Sequence, residues 1–355
     1  SGGEQGYCVF FEFDSAKGLL VARVAPVAND ATLGRELLEQ VSRSFYLTLR
    51  LLPEGFREPM SIGYLLARAT DTVADTEAVA IPARVESLGL MQSLIRDGGK
   101  VDEFRDQVES TFVPKQAHEG EKELLLRFDE CLAALNAQSP ALQKHTRFLM
   151  EQIVKGQAGD LTRFPELPGE EVVCLRSDDE LEEYTYLVAG CVGEFWTKVG
   201  LEVDRGFPGA KEAELLRLGK NYGKGLQLVN ILRDFTEDLG KGRCYLPVAS
   251  GTLAPDQAGQ MRGVASEWSA TARSYLLDGV AYTSKLRGLR LKMATGLPAL
   301  LGLRTLDLLE EKGWSLKPEK LKISRAEVKY AVRQSLSLSL VPGAWARHLR
   351  RLQAS

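Results

Sequence analysis

The chain has 355 residues, 44% hydrophobic and 26% charged, with a formal net charge of −3. That balance suits a globular protein with a sizeable core, excludes a disordered chain, and offers no basic excess for nucleic acid. Five scattered cysteines (Cys8, Cys131, Cys174, Cys191, Cys244) without a C-x-x-C pair, and three distant histidines (His118, His145, His348), argue against a disulfide framework, a zinc site or a histidine triad; reduced thiols in a cytoplasmic protein are the plain reading.

In chain order, residues 1–31 read as an N-terminal leader. The opening Ser-Gly-Gly reads as a remnant outside the fold. "CVFFEF" and "LLVARV" are β-prone runs separated by "DSAKG"; they fit a short hairpin, and equally a leader with no part in chemistry. From Thr32, a plausible N-cap, apolar residues at 33, 37, 38, 41, 45, 49 and 52 follow the spacing of an amphipathic helix that Pro53 stops. The next helix carries "PMSIGYLLARATDTVADTE", with Pro59 expected in its first turn. "IPARVESLGLMQSLIRDGG" is a third, closed by a glycine pair.

Further helices are expected over 101–113, 121–137, 140–160, 179–201, 210–240, 256–285, 289–312 and 325–338, with Pro and Gly marking most joins. Strands do not alternate with helices, so the fold class is all-α, one large domain over 32–340. No stretch of about 18 uncharged apolar residues is present to span a membrane. The tail 341–355 contains "PGAWARHLRRLQ", a short basic helix bearing Trp345 and Leu349; it suits a peripheral contact at a membrane surface, and equally a solvated terminal helix.

Two stretches carry chemistry. "RATDTVADTE" sets Asp71 and Asp75 four apart, one turn after Arg68; "GLQLVNILRDFTED" sets Gln227, Asn230, Asp234 and Asp238 along one stripe, with Arg233 adjoining. Like charges at that spacing oppose a helix by roughly 0.2–0.5 kcal/mol per pair, so either pair alone fits a solvated or ion-paired face. Their apolar surroundings argue for burial, where carboxylates and amides need partners. Oxygen-only ligands suit Mg²⁺, which takes one or two carboxylates, water and substrate phosphate. Arg68, Arg233, Lys241 and Arg243 then either neutralise the aspartates or grip phosphate oxygens, for which guanidinium geometry is suited. "SRSF" adds Ser42, Arg43, Ser44 and Phe45, and "LKPEKLKISR" adds Lys320 and Lys322, features that on their own read as surface. "NYGKGLQL" lies inside a helical run and reads as close helix packing, not as a nucleotide-binding turn.

Taken together, "SRSFYLTLRLLPEGFREPMSIGYLLARATDTVADTE", "YTYLVAGCVGEFW" and "GLQLVNILRDFTEDLGKGRCYLP" resemble the three ordered motifs of the squalene and phytoene synthase family over roughly residues 33–338. The resemblance implies the isoprenoid synthase fold, helices around a central cavity with the aspartate motifs on opposite walls. It implies Mg²⁺ at Asp71, Asp75, Asn230, Asp234 and Asp238, and diphosphate contacts from Ser42, Arg43, Ser44, Arg68, Gln227 and Arg233, with Phe45, Arg243, Lys320 and Lys322 nearby. Tyr184 matches a tyrosine of the reaction cavity.

Within the family the chain is most like bacterial-type squalene synthases, because Thr72 follows the first aspartate. The implied activity is Mg²⁺-dependent condensation of two farnesyl diphosphates through presqualene diphosphate, then NADPH-dependent reduction to squalene. The alternatives are a dehydrosqualene, phytoene or presqualene diphosphate synthase without reduction, and a non-catalytic relative that binds prenyl diphosphate or a partner protein. Ala74, Thr76 and Leu187 depart from residues common in eukaryotic squalene synthases, with Tyr186 a possible substitute for the tyrosine that Leu187 replaces.

Overall fold

The computed structural model describes residues 7–14, 19–26, 37, 38, 41, 49, 51–99, 101–164, 172–203, 207, 211–313 and 321–354. The two apolar N-terminal runs form strands β1 (Tyr7–Asp14) and β2 (Leu19–Pro26), paired antiparallel as a hairpin. Of the first expected helix, Leu37, Leu38, Val41 and Leu49 are helical and buried, as their spacing requires.

Helix α1 (Glu54–Ala74) starts one turn earlier than expected, leaving Pro59 in its interior. The earlier start brings Phe56 into the core, edge-on to Trp196 at 4.9 Å and stacked on Phe207 at 6.1 Å. Burying such a ring contributes roughly 1.5–3 kcal/mol. Then come α2 (Ile81–Asp97), α3 (Asp102–Gln107), a wide π turn (Val108–Phe112), α4 (Glu119–Leu126), α5 (Phe128–Asn136) and α6 (Pro140–Arg163). The single helix expected over 121–137 divides at Arg127, whose guanidinium is forked onto Glu130.

Helix α7 (Asp178–Thr185) runs through a second π turn (Tyr186–Gly190) into α8 (Cys191–Glu202). The Cys191 amide bonds the Tyr186 carbonyl five residues back, which marks the widened turn. The long α9 (Glu212–Gly240) crosses α8 very closely. A Cβ on Gly193 would collide with the Gly219 carbonyl, and one on Gly223 with the Ala189 carbonyl.

Past α9 the chain turns through Gly242 at φ +76°, a conformation that favours glycine. It enters a small sheet that the helical pattern did not reveal: β3 (Val172–Cys174) is central, parallel to β4 (Arg243–Cys244) and antiparallel to β5 (Thr252–Leu253). Helices α10 (Met261–Lys285), α11 (Leu289–Glu311), α12 (Arg325–Leu340) and α13 (Ala344–Ala354) complete the chain. The tail helix packs its apolar face inward: Trp345 is fully buried against Gly296, and Leu349 and Leu352 pack on the core, leaving Arg347, Arg350 and Arg351 outward. Among the described residues, no helix is long and apolar enough to cross a membrane.

Buried apolar side chains form two groups, one around α1, α2, α5, α6 and α8, the other around α9, α10, α11 and the small sheet. The candidate site lies where the two meet. Its geometry depends on the glycine crossing, so Gly193→Ala should destabilise the fold by about 1–3 kcal/mol through overpacking. Urea unfolding measures this; an unchanged midpoint would mean the helices separate without cost.

Candidate active site

Helices α1 and α9 both end on acids. A helix C-terminus carries partial negative charge and normally attracts Lys or Arg, yet neither helix has a basic residue in its last turn. α1 finishes with Asp71 and its C-cap Asp75; α9 finishes with Asp234, Glu237 and Asp238. The Asp75 amide donates to the Asp71 carbonyl at 2.8 Å, so helical register holds and the two carboxylates share a face. All four aspartates line a single cavity of about 600 Å³.

This arrangement strains the acids. Burial first, then the Asp75 charge, raises the Asp71 carboxyl to about 6, against the pull of Arg68. Asp71 nevertheless keeps 40% of its side-chain surface accessible; we read that exposure as opening into the cavity. Burial raises Asp238, and Asp75 is raised in the same way although its surface is open to the cavity mouth. Asp75 also feels Arg243 and Lys241 from beyond α9, and all three line the one cavity.

Arginines answer the acids. Arg68 donates to Asp71 at 2.6 Å and to Glu121 at 2.5 Å. Arg233 forks onto Asp234 at 3.0 and 2.6 Å, and Arg243 donates to Asp238 at 3.0 Å. Arg84 of α2, 2% exposed, donates to the Ala74 carbonyl at 2.8 Å and so supplies the missing cation at the end of α1.

A third wall comes from α6 and the β4 region. Tyr245 donates to Asp160 at 2.6 Å, stacks on Tyr184 with centroids 4.7 Å apart, and meets the edge of Phe164 at 5.1 Å. Burial, the dominant effect, raises Asp160 to about 6 and lifts both tyrosines above their usual range. Gln157, one turn before Asp160, has a buried Oε1 with no hydrogen-bond partner and also lines the cavity. Ile153, Leu161, Val188, Val192 and Ile231 make the rest apolar.

Of the residues singled out from sequence, Arg68, Asp71, Asp75, Tyr184, Gln227, Asn230, Asp234, Asp238 and Arg243 all line this cavity. Asn230 is exposed and donates to Gln227 at 3.4 Å. Arg233 is held against Asp234 and is not among the lining residues. Lys322 is exposed and also not among them. Ser42, Arg43, Ser44, Phe45 and Lys320 lie outside the described residues. Sequence reasoning missed Arg84, Gln157 and Asp160, which look like ordinary helix-face residues, and took Tyr245 only as a letter of "GRCYLP".

Among the described residues, no three Asp, Glu, His or Cys side chains converge tightly enough to hold an ion by themselves. Paired carboxylates with an amide nearby form an oxygen-only set, and Mg²⁺ typically completes such a set with water and substrate phosphate. The residues therefore fit cations shared with a bound diphosphate.

Comparison with known proteins agrees. The family model for squalene/phytoene synthase matches residues 38–327, so the chain belongs to the squalene/phytoene synthase family. It is 28% identical to a bifunctional lycopene cyclase/phytoene synthase of Blakeslea trispora over 62% of this chain and 33% of that protein. It is 25% identical to a squalene synthase of Schizosaccharomyces pombe over 76% of this chain and 58% of that one. The matches thus span from a third to somewhat over half the length of these relatives. The ligand complex of TcSQS superposes with a TM-score of 0.69 at 22% identity, covering 89% of this chain and 88% of that one. The architecture is accordingly the all-α isoprenoid synthase fold.

Asp71 gives a test of the strain. Its folded carboxyl at about 6 lies above the unfolded value of about 3.9, so its contribution is favourable at low pH and lost as pH rises through about 6. Discounted for the accessible part of the side chain, Asp71→Asn should raise the Tm of the metal-free protein at pH 7.5 by about 2 °C, and by less at pH 5. Thermal melts at both pH values measure it; a lowered Tm at pH 7.5 would contradict the strain.

Proposed function

We propose that this chain is a prenyltransferase that condenses two molecules of farnesyl diphosphate. The observation that carries this reading is the cavity itself: two acid-ended helices, arginines beside them, and an apolar and aromatic remainder. Mg²⁺ held by Asp71, Asp75, Asn230, Asp234 and Asp238 would supply Lewis-acid stabilisation of the departing diphosphate.

The chain's own residues account for the rest. Arg68 and Arg243 line the cavity and bind diphosphate oxygens with their guanidinium forks. Arg233 orients Asp234 from behind. Ile153, Leu161, Val188, Val192 and Ile231 hold the prenyl chains and exclude water that would quench a carbocation. The faces of Tyr184 and Phe164 stabilise positive charge by about 0.5–2 kcal/mol. The paired acids and arginines speak against a non-catalytic relative, which has no need of strained carboxylates.

The full reading is a squalene synthase that passes through presqualene diphosphate and then uses NADPH. No cavity residue is assigned to NADPH. The glycines of "NYGKGLQL" serve helix packing: a Cβ on Gly225 would sit 2.8 Å from the Tyr275 Cβ. A second reading, release of an unreduced product, is favoured by Tyr186. Its hydroxyl is turned to Glu194 at 3.3 Å and it is not among the cavity-lining residues, so it does not stand in for the tyrosine that Leu187 replaces.

Product analysis with farnesyl diphosphate and Mg²⁺, with and without NADPH, separates these readings. Squalene only when NADPH is present supports the first; presqualene diphosphate or dehydrosqualene unchanged by NADPH supports the second; a preference for C20 substrate points to phytoene. Asp71→Asn and Asp234→Asn should each cut turnover at least about 100-fold while the helical circular dichroism is kept. Full activity in either variant would reject the metal role.

A further inference from the structure

Joining two allylic diphosphates releases one diphosphate and also one proton, whatever carbon skeleton results. The donor's C–O bond breaks and its electron pair leaves on diphosphate. The acceptor's double bond supplies the pair for the new C–C bond, which leaves a carbocation. A neutral carbon skeleton forms only when a nearby C–H bond gives up its pair, and the proton then needs a base. A cavity that excludes water leaves two sources: a protein group or the departing diphosphate.

The cavity acids divide sharply. Asp71, Asp234 and Asp238 are each paired to an arginine, and under the proposed function they and Asp75 would hold Mg²⁺. Glu77 and Glu237 are exposed. Asp160 stands apart, on α6, where it accepts the Tyr245 hydroxyl at 2.6 Å. Tyr245 in turn stacks on Tyr184 and lines the same cavity, so its hydroxyl belongs to the aromatic wall whose ring faces stabilise a carbocation.

We propose that Asp160 takes up the proton released in carbon–carbon bond formation, by way of the Tyr245 hydroxyl. The Tyr245 oxygen receives the proton from carbon as its own proton passes to Asp160 Oδ2. The C–H pair fills the empty orbital of the carbocation, as a ring bond or a double bond, Tyr245 ends unchanged, and Asp160 ends as the neutral acid, to be discharged to solvent on product release. Burial makes Asp160 a stronger base than a free carboxylate, at about 6, and it remains ionised at neutral pH. The charged and titratable groups around it are Tyr245, Tyr184, Arg243, Asp238 and Arg163. The assignment rests on the prenyltransferase reading above.

Asp160→Asn tests it, since the amide oxygen still accepts from Tyr245 while the basicity is gone. With farnesyl diphosphate and Mg²⁺, diphosphate release and condensed product are measured separately. Condensed product should fall at least about 100-fold with KM within about threefold. Diphosphate release should continue, and the stranded cation is captured by water once the cavity opens, so prenyl alcohol accumulates, which also reports an intact fold. Tyr245→Phe should shift the partition the same way. If Asp160→Asn condenses at close to the wild-type rate, the departing diphosphate takes the proton and the assignment is wrong. If it loses release and condensation together, Asp160 is structural and the assignment is equally wrong. A wild-type chain that neither releases diphosphate nor condenses overturns the prenyltransferase reading, and this inference with it.

Discussion

Two helices that end on carboxylates, aimed into one cavity, define this molecule. Each helix end already carries partial negative charge, and each adds aspartates to it. The field so produced is unfavourable without cations, and the protein tolerates it by local compensation. Arg84 caps the carbonyl end of α1 from a neighbouring helix, and Arg68, Arg233 and Arg243 each lie against one carboxylate. Compensation is incomplete, as the raised Asp71, Asp75 and Asp238 carboxyls show. That residual strain is what a divalent cation would relieve under the proposed function, and stability and ligand binding would then be linked in the same residues.

The rest of the structure keeps those ends in place. The α8–α9 crossing is close because Gly193, Gly219 and Gly223 carry no side chain, and it fixes α9 against the helix that continues, through the π turn, from α7 and its Tyr184. The Gly242 turn and the short parallel pairing of β3 with β4 then return Arg243 to the Asp238 it neutralises. The α6 side supplies Ile153, Leu161 and the Asp160–Tyr245 pair, which meets the charged end of the cavity where Arg243 lies 5.8 Å from the Tyr245 ring.

Much of this was legible in the sequence because helical periodicity is local. The long helices over 140–163, 212–240, 261–285 and 289–311 follow directly from apolar spacing and Pro/Gly punctuation. Asp71 with Asp75, and Asn230 with Asp234 and Asp238, stood out because like charges on an apolar face need a reason. What was hidden is tertiary. The small sheet uses runs of two or three residues, too short for any periodic signal. Arg84 and Asp160 sit in unremarkable helical stretches, and only packing reveals that one caps the preceding helix and the other meets Tyr245. The tail helix could be read as lying at a membrane surface or in solvent; burial of Trp345 shows that its apolar face packs on the protein instead.

The widened turn at Tyr186–Gly190 has a consequence for how the cavity could be changed. A π turn holds one residue more than the α-helix it interrupts. Removing a residue there would restore ordinary winding and leave the two sides close to their present phase, because the wide turn absorbs its extra residue within a single turn. Tyr184 and Gly193 lie on opposite sides of it. The surplus residue therefore displaces only the backbone of the turn itself, and the phenol ring and the interhelical seam stay in register whether it is present or not.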